Sequence, residues 1–120
     1  MSGLKELIAF RKAYQLAIDI HLQTNNFPKE EKYSLTDQIR RSSRSVCVNL
    51  AEAYRKRRYK AHFISKLSDA EAENAETDVW IDFSKDFNYW TSETSQNLLL
   101  KNEEVGKLIS YMINNPDKFI

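Results

Sequence analysis

The chain has 120 residues, of which 29% are charged and 12% aromatic, with a formal net charge of +1 and only two glycines and two prolines. That length predicts one domain spanning 1–120, and so few chain breakers predict long helices. No run of about 18 apolar residues exists, which excludes a membrane-spanning helix, and "MSGLKELIAF" lacks the apolar region and cleavage site of a signal peptide.

Leu4, Leu7, Phe10, Tyr14, Ala17, Ile18 and His21 recur at three- and four-residue steps and predict a first amphipathic helix over 4–25. "NNFP" ends it, because the residue before a proline disfavours the helical region. Pro28, Glu30 and Glu31 suit the start of a second helix over 29–57, where negative charge meets the positive dipole end. Its apolar stripe is Thr36, Ile39, Ser43, Val46, Cys47, Leu50, Ala51 and Tyr54, and the small residues at 43, 47 and 51 let a neighbour approach closely. Cys47, the only cysteine, lies on that face and reads as a small buried hydrophobe in a reducing, cytoplasmic setting.

The third helix covers 60–88 and has two apolar stripes: Ala61, Ile64, Ser68, Ala72, Ala75, Val79 and Phe83, and then Phe63, Leu67, Ala70 and Ile81. A helix apolar on two sides touches more than one neighbour. The second stripe, together with Trp80 and Trp90, exceeds what one bundle interior needs and predicts a homo-oligomer. "NYWTSET" supplies caps for a fourth helix over 93–114, which runs through Leu98, Leu99, Val105, Leu108, Ile109, Met112 and Ile113 until "NNP" closes it. No strand-like alternation appears. The fold class is all-α, an up-down-up-down antiparallel four-helix bundle.

Charge is unevenly placed along these helices. Residues 40–66 hold nine basic side chains and one acid, and residues 67–104 hold ten acids and two basic side chains. If a tight turn near residue 59 joins helices two and three, facing residues have numbers summing to about 118, because both helices rise at the same rate. Arg40 then lies opposite Asp78, and Arg44 lies within a turn of Glu71 and Asp78, which predicts structural ion pairs inside the protein. The hairpin tip has no such partners. Arg55, Lys56, Arg57, Arg58 and Lys60 face their own mirror image, with Tyr54 and Tyr59 interleaved. Cations neutralise phosphates and tyrosines stack on bases, so the tip, with Arg41 further along helix two, is the candidate nucleic-acid-binding surface.

Catalytic patterns are absent from the sequence. Neither His21 nor His62 has a glutamate three residues before it, as a bundle di-iron site requires. Glu52, Glu71, Glu73 and Glu76 read as solvated or paired acids rather than cation ligands. No glycine-rich phosphate loop or zinc-type Cys/His spacing is present, so no enzyme, cofactor or metal is expected.

"FPKEEKYSLTDQIRRSSRSVCVNLAEAYRKR", with "FRKAYQLAIDIH" before it and "AHFISKLSDAEAENAETDVWIDF" after it, closely resembles the bacterial four-helix-bundle family named after the 23S ribosomal RNA intervening sequence. The likeness covers positions 8 to 90. It implies an up-down bundle that assembles as a homo-oligomer, often a ring of five. The chain is also similar to the accessory protein of diversity-generating retroelements, a pentameric bundle whose basic surface is thought to engage nucleic acid and a reverse transcriptase. Many family members read "NIAEGxGR" where this chain has "NLAEAYRKR", so Ala53 and Tyr54 replace a glycine-containing helix end. Two functions follow as expectations: RNA or DNA binding through the tip, or an oligomeric scaffold that recognises a partner protein.

Overall fold

Apolar residues at three- and four-residue spacing produce four helices: α1 (Ile8–Gln23), α2 (Leu35–Arg55), α3 (Lys60–Asp86) and α4 (Ser92–Asn114). Single 3-10 turns occupy Leu4–Glu6, Lys29–Glu31 and Pro116–Lys118. The computed structural model describes residues 3–120, and no strand occurs among them.

The second helix starts later than its sequence suggests. Pro28 opens a 3-10 turn, and α2 begins only at Leu35. The reason is the Glu31 carboxylate, whose Oε1 accepts from the Leu35 backbone N–H at 3.2 Å and from the Ser34 hydroxyl. It serves a first-turn donor of the helix that would otherwise be orphaned. Bonds from Ser34 and then Tyr89, whose hydroxyl donates to Glu31 Oε2 at 2.8 Å, hold the Glu31 carboxyl below its ordinary pKa. The remaining boundaries follow local chemistry. Thr91 caps α4 by accepting from Thr94 N–H at 3.1 Å, and Asn88 takes the left-handed φ of 62° that asparagine tolerates after α3.

Side-chain pairs fix helix directions. Lys12 meets Glu104 and Asp19 meets Lys101 between α1 and α4; His21 meets Arg44 and Thr24 meets Arg40 between α1 and α2. Arg41 meets Glu76 and Glu52 meets Lys66 between α2 and α3; Asn74 lies against Gly106 and Asp78 against Asn102 between α3 and α4. In every pair the numbers rise on one helix as they fall on the other. Neighbouring helices therefore alternate in direction, and α1 and α3 sit across the diagonal.

Two buried faces differ from the sequence reading. On α1 the core side is Ala9, Ala13, Leu16, Ala17 and Ile20, whereas Tyr14 and Ile18 point outward. The small alanines let α1 pack closely, and its bulkier residues remain outside. On α3 the supposedly surplus stripe of Phe63, Leu67, Ala70 and Ile81 is the core itself, each of the four fully buried. Trp90 is buried as well: it packs on Phe27 and donates from Nε1 to the Gln23 carbonyl at 2.8 Å. The outward stripe of α3 is the other one, where Val79 and Phe83 are exposed, followed by exposed Phe87 just past the helix end.

Polar residues complete the core line of α3. Asn74 Nδ2 donates to Asn102 Oδ1 (2.9 Å) and to the Asn102 carbonyl (3.1 Å), and Asn102 Nδ2 returns a bond to the Asn74 carbonyl (2.9 Å). The pair packs against α4 at Gly106, where no side chain stands in its way. A Cβ on Gly106 would stand 2.7 Å from Asn74 Oδ1. Ser42 and Thr77 share a hydrogen bond of 2.8 Å across the α2–α3 seam, so these buried hydroxyls are also satisfied.

Candidate functional site

The tip is built by four residues, Lys56 to Tyr59, that turn the chain between two long antiparallel helices. Lys56 N–H closes back on the Ala53 and Glu52 carbonyls, and Tyr59 N–H on the Lys56 carbonyl, so the turn is tight. Tyr54, Arg55, Lys56, Arg57, Arg58, Tyr59 and His62 surround one open concavity of about 720 Å³. The side chains predicted to act together at the tip are therefore gathered, with Lys60 beside them.

Their individual states differ. Among the described residues Arg55, Lys56 and Arg58 are exposed and make no ion pair. Arg57 is committed locally: its guanidinium lies 3.7 Å from the Tyr54 ring centroid, and its Nε donates to the Tyr54 carbonyl at 2.9 Å. Lys60 is not without an acid, as its place in the sequence suggested. Asp117, brought up by the C-terminal 3-10 turn, pairs with it at 3.0 Å. Tyr59 is 58% exposed, with its ring 5.5 Å from the His62 ring at a tilt of 52°. His62 was not among the predicted tip residues. Its place three residues after Tyr59, one turn along α3, is the signal that would have found it.

Arg41 does not belong to the tip. It stands 14 residues before Arg55, about 21 Å along the helix at the α-helical rise, and pairs with Glu73 (3.4 Å) and Glu76 (2.5 Å). The predicted ion pairs of Arg40 and Arg44 with Asp78 and Glu71 are not formed. Arg40 turns to the end of α1, donating to Thr24 Oγ1 (2.8 Å), Asn25 Oδ1 (3.3 Å) and the His21 carbonyl (3.5 Å). Arg44 Nη2 meets His21 Nδ1 at 3.0 Å. The cause is helical phase. The register sum near 118 holds for Arg41–Glu76, Ser42–Thr77 and Glu52–Lys66, but the residues of α3 that face α2 are Glu73, Glu76 and Thr77. Asp78 lies on the α4 side, where Asn102 Nδ2 donates to it at 2.6 Å.

Burial pushes the Cys47 thiol up to about 11, so it stays protonated near neutrality. Of the four glutamates considered as cation ligands, three are ion-paired, Glu52 with Lys66 and Glu73 and Glu76 with Arg41, and Glu71 is exposed. No group of three His, Cys, Asp or Glu side chains is placed to hold a metal ion among the described residues, and no helix is long and apolar enough to cross a membrane. What the tip offers is a cationic surface with aromatic side chains among its lining residues.

Known proteins agree with this architecture. The family described as 23S rRNA-intervening sequence protein matches residues 5–111. The crystal structure of a protein of unknown function from the S23 ribosomal protein family, from Bacteroides thetaiotaomicron VPI-5482, superposes with a TM-score of 0.83 at 26% identity, covering 93% of this chain and 100% of that one. No curated protein matches the chain.

Proposed function

The chain belongs to the 23S rRNA-intervening sequence protein family, and from that premise we propose that it is a non-enzymatic, oligomeric bundle protein of the cytoplasm that holds the phosphates of RNA or DNA at its α2–α3 tip. The observation that carries this reading is the set of three exposed cations, Arg55, Lys56 and Arg58, converging on one concavity with no ion pair among the described residues. Elsewhere the basic block is spent inside the fold: Arg40 and Arg44 on α1, Arg41 and Lys66 on acids. Assembly into a ring, of five subunits by family resemblance, would present several tips in fixed geometry. Weak phosphate contacts then act together, and avidity exceeds single-site affinity.

Binding of labelled RNA and DNA as a function of salt tests the reading. Affinity should fall steeply as salt rises, with little dependence on sequence. Arg55→Gln, Lys56→Gln and Arg58→Gln together should remove most of it, and should flatten the log–log salt slope by about 2 for a single strand in a one-tip complex, at about 0.7 per phosphate contact. The bundle should stay folded, because exposed charges contribute little to stability. Undiminished binding by the triple variant would remove the tip from consideration.

A second reading is a homo-oligomeric scaffold that recognises a partner protein and has no nucleic-acid role. It draws on the net charge of +1, modest for a nucleic-acid binder, and on an apolar groove of about 370 Å³ between α1 and α2 lined by Tyr14, Ile18, Leu22 and Val48. Absence of any nucleic-acid binding by the parent at low salt would favour it.

A further inference from the structure

We infer that Tyr59 and His62 form a platform for an unpaired base, so that the tip takes single-stranded nucleic acid in preference to a closed duplex. This rests on the phosphate-binding reading above and narrows it. A surface that held only phosphates would need cations and no open ring face. Here Tyr59 is more than half exposed and lines the cationic concavity, with its ring tilted 52° against that of His62. The Tyr54 ring is already covered on one face by the Arg57 guanidinium. Bases within a duplex are stacked on one another and offer a protein only their edges and the backbone. A ring face can therefore be used only by a base that has left the stack. Arg55, Lys56 and Arg58 border the concavity, so the phosphates flanking the stacked base meet charge.

Three probes of equal phosphate number separate base from backbone: a mixed-sequence single strand, a duplex of half its length, and a strand of abasic residues. Fluorescence anisotropy at several salt concentrations should rank the ordinary single strand above the abasic one by about 5- to 160-fold, the range that one stacked base contributes. Tyr59→Leu should lower affinity for the ordinary strand by the same factor without changing its salt slope, since no phosphate contact is lost. Tyr59→Phe should retain affinity, and the circular dichroism of both variants should match the parent. Equal binding of the abasic and ordinary strands, equal binding of duplex and single strand, or a Tyr59→Leu loss shared by all three probes would overturn the inference. If all three probes bind alike and the Arg55/Lys56/Arg58 triple variant loses them, phosphate recognition stands and stacking falls. If the parent binds none, both fall.

Discussion

Asp78 is a carboxylate that this fold holds at a cost. Burial raises its pKa, a bond donated by Asn102 partly offsets this, and the charges of Asp82 and Glu103 push it further up. A folded-state pKa above the ordinary carboxyl value means that the native state binds the proton more tightly than the unfolded chain. Its contribution to stability is therefore complete below that ordinary value and is lost as pH rises through the raised one. At pH 7 the ionised group weighs against folding. Asp78→Asn keeps an acceptor for Asn102 and removes the charge, so the melting temperature should rise by a few degrees at pH 7. The gain should shrink on acidification and vanish below the ordinary aspartate value of 3.8, where Asp78 is protonated in both states. A variant that melts lower than the parent at pH 7 would show that the charge-assisted bond outweighs desolvation. Little of this was legible in the sequence, because the environment of Asp78 depends on which helix it faces. Cys47 and the tip cations were legible: an apolar neighbourhood settles the first, and a run of cations at a turn has no mirror partner. Asp117 was not, since it reaches Lys60 from 57 positions away in the chain.

At the scale of elements, helix number and α2–α3 register could be read, and helical phase could not. Register needs only the rise per residue and the position of the turn. Phase needs the correct buried stripe, and one residue of error rotates a face by about 100°. On α3 the core line runs 63, 67, 70, 74, 77, 81, 84, spaced alternately by four and three. Asn74, Thr77 and Ser84 interrupt its apolar character, so it reads as a short side stripe. Each finds a partner: Asn102, Ser42 and the Trp80 carbonyl. The misplaced phase also relocated Arg40, whose actual role is to hold the end of α1. Carbonyls at a helix C-terminus carry partial negative charge, and a cation there is favourable. Arg40→Gln should lower stability by about 1–2 kcal/mol, through the lost charged hydrogen bonds and helix-end interaction. Arg40→Lys should recover only part, because an ammonium cannot span Thr24 Oγ1 and Asn25 Oδ1 as a guanidinium fork does. Arg44→Gln, with an exposed contact to His21, should change stability by less than about 0.5 kcal/mol. Urea denaturation of the three variants checks the ranking; equal losses for Arg40→Gln and Arg44→Gln would refute the helix-end role.

Two of the apolar surfaces among the described residues lie well apart, and their separation bears on how copies would associate. One is the groove of Tyr14, Ile18, Leu22 and Val48 on α1 and α2; the other is Val79 and Phe83 on α3, with Phe87 just past its end. Because α1 and α3 sit across the bundle diagonal, one patch cannot serve as a continuation of the other. A two-fold dimer would pair one patch with its own copy and leave the second exposed. Pairing the groove of one subunit with the α3 stripe of the next is a heterologous contact, which closes into a ring when the rotation permits. Light scattering of the parent should therefore give a mass several times 14.1 kDa, independent of dilution through the micromolar range. Ile18→Glu and Phe83→Glu should each disperse the assembly while leaving its helicity unchanged, since both side chains point outward. Mixing the two variants discriminates between symmetries. An Ile18→Glu chain retains an intact α3 stripe and a Phe83→Glu chain retains an intact groove, so one good interface can form, and the mixture should yield a heterodimer and nothing larger. Under two-fold pairing of a single patch no such rescue exists for the chain that carries the damaged patch. A monomeric parent, or a mixture that stays monomeric, would rule out the heterologous ring.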